Sequence, residues 1–162
     1  MIFNPFAASK HRCLSALQAV EVAQKLDKYN FLVIGPENKL KYFLPNNNYK
    51  PNNLFLLPLE LAKKGGVKLN MALLKQADYL ISPDTYIVHI ASAFDKPQLS
   101  LYFGKDKNNI IQWKPNSDKA YILEVPGNDM RFVESKLIVD NFIKLTYFFV
   151  FVMAIVLNLI LP

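Results

Sequence analysis

The feature that most constrains this chain is a series of short, continuously apolar runs separated by stretches of helical period. "FLVIG" (31–35), "LFLLP" (54–58), "DYLIS" (78–82), "QLSLYF" (98–103) and "YILEV" (121–125) are too short for ordinary helices and mostly lack polar alternation. Strands of that kind belong to a parallel sheet buried under helices. Ile2 to Asn4 reads as the end of one more strand.

The segments between them carry helix signals. Ser15 and Gln18 spell a capping box, and Ala16, Ala19, Val20, Ala23 and Leu26 form one apolar face behind it. A short helix is expected from Glu37. Asn70 is expected to cap "MALLKQA" (71–77), with Leu69 and Leu74 as a hydrophobic staple. Further helices are expected over Thr85–Phe94 and about Glu134–Lys144. "PNNNYKPNN" (45–53) reads as a loop, "LAKKGGVKLN" (61–70) as a linker flexible at Gly65-Gly66, and Gly104 to Trp113 as a loop. Alternating strands and helices predict an α/β fold, one parallel sheet with helices on both faces.

The length of 162 residues fits one such domain. With 52% hydrophobic and 20% charged residues the chain is not a disordered one. The net charge of +6 suits anionic partners, phosphates or an acidic membrane surface. The basic residues are scattered and form no stripe interleaved with aromatics, so no nucleic-acid partner is expected. Cys13 is the one cysteine beside two histidines, which excludes a disulfide framework and a Cys/His metal site. No metal and no cofactor are expected, and a reducing compartment fits. "MIFNPFAASKHR" lacks the pattern of a secretory signal.

From Leu145 to Pro162 the chain carries no charged residue, and Lys136 and Lys144 precede it. This run is near the lower length limit for a membrane span, and the lysines would place the globular part on the cytoplasmic side. A buried last helix or strand, or a non-native extension after a truncation or frameshift, fits the same residues. The expected division is a domain over 1–144 and a hydrophobic tail over 145–162.

Candidate chemistry concentrates in "SPDTYIVHIASAFDKP" (82–97), where a buried strand gives way to a helix. Free N–H groups and the dipole at that helix start favour a phosphate. Asp84 is placed to cap the helix, Thr85 to donate to a phosphate oxygen, and His89 lies one turn further on the same side. A helix cap and a satisfied core histidine are the plain alternatives. Ser9, Lys10, His11 and Arg12 precede another helix start, and Glu37 follows the strand "FLVIG", where an acid can bind ribose hydroxyls. In a parallel sheet all three loops lie at the carboxyl edge, as a nucleoside-diphosphate ligand requires.

"ISPDTYIVHIASAFDKPQLSLYFG" resembles the signature of the bacterial heptosyltransferases of lipopolysaccharide core synthesis, glycosyltransferase family 9. That signature runs through Asp-Ser/Thr-Gly, a His after two residues, an Ala-rich helix, Lys-Pro, a strand and Phe-Gly. "NPFAASKHR" resembles the family's Asn-Pro-Gly-Ala loop with its downstream Lys, and "VIGPE" its Gly-containing turn with an acid. The likeness covers about Ile2 to Lys144. It implies a Rossmann-like domain, the C-terminal half of a GT-B fold, that binds a nucleotide-sugar donor, ADP-heptose above others. By that resemblance Lys10, Thr85 and the backbone at Tyr86 face the diphosphate, and Ser9 belongs to the same donor site. Asp84 contacts the donor sugar, Glu37 the ribose, His89 supports the phosphate end, and Leu57 and Pro58 border the base. No catalytic residue is expected in this chain, because the family's acceptor-binding half carries the base.

Two departures stand out. Tyr86 replaces the Gly that follows Asp-Thr, and no acceptor half accompanies the domain. The implied function is the donor half of a transferase acting on a lipopolysaccharide-core acceptor through a missing or separate N-terminal half. It would work in the cytoplasm, peripheral to the inner membrane or anchored there. The alternative is a non-catalytic nucleotide- or partner-binding module, and the Asp-Thr-x-x-x-His spacing argues against a GT-B epimerase.

Overall fold

The computed structural model describes residues 1–44 and 50–160, with residues 150–160 as helix backbone alone. Six strands form one sheet: β1 (Ile2–Phe3), β2 (Phe31–Val33), β3 (Leu54–Leu56), β4 (Leu80–Pro83), β5 (Gln98–Phe103) and β6 (Ala120–Val125). Their order is β3-β2-β1-β4-β5-β6, and every neighbouring pair is parallel. β1 and β4 are wholly buried and β5 nearly so, whereas β3 and β6, at the edges, are half exposed. Central strands covered on both sides have no face left for polar residues, which explains the unbroken apolar runs. Two polar side chains inside β5 satisfy each other: Gln98 Nε2 donates to Ser92 Oγ (2.9 Å), and Ser100 Oγ donates to Gln98 Oε1 (3.1 Å).

The helices are α1 (Ala16–Lys25), α2 (Glu37–Leu40), α3 (Leu59–Gln76), α4 (Tyr86–Ala93), α5 (Lys107–Trp113) and α6 (Ser135–Ile160). α1 packs on α6, and α3 packs on α4. The connection β1–α1–β2 runs toward one edge of the sheet and β4–α4–β5 toward the other. Right-handed crossovers therefore put α1 and α4 on opposite faces. The Ser15–Gln18 capping box opens α1, and Gln18 also donates to the carbonyls of Met130 (2.8 Å) and Val133 (2.6 Å). On the α6 side, Phe142 is fully buried and meets Tyr29 and Tyr79 edge-on at 5.2 and 5.4 Å between ring centroids.

Four expectations are corrected. The stretch 61–70, read as a linker, is helical: α3 runs through it and bends at Gly66, whose φ of +47° suits glycine. Asn70 therefore sits inside a helix and caps nothing. The stretch read as a loop up to Trp113 contains α5, capped by the Asp106 carboxylate accepting from the Asn109 N–H (3.0 Å). The cap of α4 is Thr85, one residue later than expected, because the Asp84 carboxylate is engaged elsewhere.

The stretch expected as a tail continues α6, with Leu145 and Thr146 buried against the domain. Among the described residues no helix is long and apolar enough to cross a membrane. Residues 161–162 of the expected tail, and residues 45–49 of the expected loop, lie outside what the structure describes.

Candidate functional site

The strand order reverses direction at β1: β2 and β3 extend to one side, β4 to β6 to the other. The carboxyl ends of β1 and β4 therefore diverge and open a crevice. Both ends carry polar groups into it. Asn4, just beyond β1, donates through Nδ2 to Ser82 Oγ (2.9 Å) and Thr85 Oγ1 (3.3 Å), so it ties the two strand ends together. Thr85 Oγ1 also accepts from the Ile87 N–H at the head of α4.

Asp84 is the most constrained group here. It is 8% exposed and forms a salt bridge through Oδ2 with Arg12. Arg12 Nη2 also donates to the Asp84 carbonyl (2.6 Å), and Asn109 Nδ2 of α5 donates to the same Oδ2 (2.9 Å). Arg12 stands on a 3-10 turn over Lys10–Arg12, so the loop after β1, the end of β4 and the start of α5 meet at one carboxylate. Beneath them, Tyr102 is fully buried and donates its hydroxyl to the Trp113 carbonyl (2.6 Å). Burial first, and the Asp84 charge second, push its phenol pKa up, so it stays a proton donor.

A cavity of about 690 Å³ fills the crevice. One end is apolar, walled by Phe6, Ile34, Leu57, Ala62 and Leu69. Gly35 borders it because a side chain there would meet the Phe6 ring at 2.2 Å. Lys39 lies beside Phe6 and donates to the Ala7 carbonyl (2.8 Å). The middle holds Asn4, Arg12, Asp84 and Thr85, and the mouth holds Tyr86, His89, Asn70 and Trp113. Tyr86 is half exposed, and its hydroxyl accepts from Asn70 Nδ2 (2.6 Å), which bridges α4 to the second part of α3.

A second cavity of about 280 Å³ lies on the β5 side. It shares Arg12, Asp84 and Asn109 with the first and adds Ser9, His11, Phe103 and Asp106. His11 lies flat on Phe103, with ring centroids 6.0 Å apart. Nearby, the Arg131 hydrogen bond holds the Asp129 carboxyl down to about 2. Among the described residues no group of three or more His, Cys, Asp or Glu could hold a metal ion.

Of the residues singled out in the sequence, Leu57, Asp84, Thr85, Tyr86 and His89 line the large cavity and Ser9 the small one. Lys10, Glu37 and Pro58 sit at the same carboxyl edge but line neither cavity. His89 is exposed at the mouth rather than buried in the core. The sequence reading missed Asn4, Lys39, Asn70, Asn109 and Trp113 as wall residues and gave Arg12 no role of its own. Asn4 and Arg12 belong to the "NPFAASKHR" stretch already in view, and a helix signal over 107–113 would have exposed Asn109.

Residues 17–136 match the model of glycosyltransferase family 9 (heptosyltransferase). This chain belongs to that family. A putative lipopolysaccharide heptosyltransferase 4 of Escherichia coli strain K12 is 26% identical over 152 residues, which are 90% of this chain and 40% of that protein. The chain thus spans well under half the length of this curated relative. Among solved structures, the E. coli ADP-heptose LPS heptosyltransferase II superposes with a TM-score of 0.69 at 16% identity, over 89% of this chain and 45% of that one. The E. coli heptosyltransferase WaaC with ADP gives 0.68 at 17% identity, over 88% and 42%. At these identities the structural matches establish a shared fold.

Proposed function

We propose that this chain is the C-terminal, donor-binding half of a family 9 glycosyltransferase and takes a nucleotide-sugar, ADP-heptose by preference. The observation that carries this reading is the crevice at the reversal of strand order, apolar at one end and polar around Arg12, Asp84 and Thr85 at the other. Solved family relatives were captured with ADP and with an ADP-heptose analogue, which supports that ligand class. The base enters the apolar end beside Leu57 and Leu69. The diphosphate lies at the head of α4, where Thr85, the free N–H groups and Arg12 receive its charge. Arg12 and Lys39 replace Lys10 as the cations facing the ligand, because they line the large cavity and Lys10 lines neither cavity.

Heptosyl transfer to a lipopolysaccharide-core acceptor would be a direct displacement at the anomeric carbon, with Arg12 and the α4 N-terminus stabilising the departing diphosphate. The acceptor and the base would come from the N-terminal half of the fold. The chain works on the cytoplasmic side of the inner membrane, with the exposed Tyr147 and Phe148 at the end of the domain as its contact with the bilayer. Calorimetric titration of the chain with ADP, ADP-heptose and UDP-sugars tests the donor site. Saturable one-site binding of ADP and ADP-heptose is expected, weakened by Arg12→Ala. Absence of heat with every nucleotide overturns it.

Tyr86, where the family signature carries Gly, favours a second reading: a module that binds nucleotide without turnover. Adding a separately produced acceptor half and measuring ADP release from ADP-heptose distinguishes them.

A further inference from the structure

We infer that Tyr86 is a side-chain gate on the large cavity and Asn70 its latch, so that the pair sets how fast a nucleotide enters and leaves. This rests on the donor-site reading and goes beyond it, from what the crevice binds to how access is controlled. The family signature carries Gly where this chain has Tyr86, and Gly has no side chain with which to build such a device. The two residues line the same cavity but stand on different elements. Tyr86 is the first residue of α4, directly after the Thr85 cap. Asn70 belongs to the part of α3 that follows the bend at Gly66.

Both elements are anchored. Leu74 of α3 is fully buried, with Leu69 and Leu73 packed against the core, and α4 buries Ile87, Val88 and Ala91. The backbones that carry gate and latch are thus fixed, and the Tyr86 side chain is the part free to turn. It is 50% exposed, and the hydrogen bond from Asn70 Nδ2 to its hydroxyl (2.6 Å) ties it to α3. With that bond broken, rotation about Cα–Cβ to another staggered well turns the ring away from α3. An exposed hydrogen bond is weak enough to break often and strong enough to keep the open form in the minority. The same bond closes over the empty and the occupied cavity. Weakening it therefore raises entry and exit together and leaves their ratio, the affinity, nearly unchanged. Loss of a direct ligand contact behaves differently, because it shows mainly in dissociation.

Trp113, the single tryptophan of the chain, lines the same cavity and serves as the stopped-flow fluorescence reporter of ADP binding to the full chain. The variants are Tyr86→Phe, which removes the hydroxyl alone, Asn70→Ala, and the two combined. Each single variant should raise both the association and the dissociation rate about fivefold, as loss of one exposed hydrogen bond requires. The Kd should stay within about threefold, and the double variant should match the singles, because all three remove one interaction. Faster dissociation with unchanged association makes the hydroxyl a ligand contact and overturns the gate. Unchanged rates in the single variants, or single effects that multiply in the double, overturn it as well. Failure of the wild type to bind ADP removes the donor site and the gate with it, whereas ADP binding with unaltered kinetics in the variants removes the gate alone.

Discussion

The ion pair of Arg12 and Asp84 should behave asymmetrically when it is broken. The two side chains are 29% and 10% exposed, between a surface pair, worth up to ~1 kcal/mol, and a buried one, whose disruption costs ~3–5 kcal/mol. Arg12→Ala leaves a nearly buried carboxylate with Asn109 as its remaining side-chain donor, and the expected cost is about 2 kcal/mol. Asp84→Ala leaves the longer, more exposed guanidinium, which can turn to water, and should cost about 1 kcal/mol. With both gone there is no stranded charge, so the double variant should cost no more than Arg12→Ala alone. Urea unfolding of the four proteins at neutral pH measures this cycle. For a chain of this size, Arg12→Ala should lower the melting temperature by roughly 4–8 °C. The reasoning is refuted if the two single effects simply add, or if Arg12→Ala costs less than about 0.5 kcal/mol.

Phe142→Ala empties a fully buried aromatic site between Tyr29 and Tyr79, and unfolding titrations should show a loss of about 3–5 kcal/mol. Tyr86→Gly removes the bond to Asn70; because the ring is tied toward α3, calorimetry should find ADP affinity changed by less than about threefold rather than strongly raised. Asp129 has its pKa lowered to about 2 by Arg131, so its carboxylate contributes stability above the ordinary Asp range that is lost as pH falls toward 2. Carboxyl NMR should follow that titration, and Arg131→Ala should return it to the ordinary range.

The sheet was legible because its strands are buried on both faces, and burial writes itself into sequence as unbroken apolar runs. α1 was equally legible through its capping box. α3 was not, because Gly65 and Gly66 usually signal a break; here the chain bends at Gly66 and resumes the helix, with Leu74 buried and Leu69 packed against the core. α5 left little trace, since none of its residues is buried and no apolar period is needed to hold it. It is fixed by polar contacts at Asp84, Tyr102 and Glu124, which link residues distant in sequence. The missing helix cost the reading Asn109 and Trp113. The motif itself was found, but the partner of Asp84 was not. Pairing across 72 residues is set by the tertiary fold.

The geometry also bears on the division of labour that the proposed function implies. Direct displacement needs a base beside the acceptor hydroxyl as well as charge stabilisation at the leaving group. Among the described residues, Asp84 is the one carboxylate lining the large cavity. It is held by Arg12 and Asn109, on the side where the donor would lie. Glu37 sits at the same edge of the sheet but outside both cavities, and Asp106 is occupied as a helix cap. The carboxylates at this edge thus serve to cap and pair, and under the proposed function the base would enter from a surface facing the cavity beside Tyr86 and Trp113.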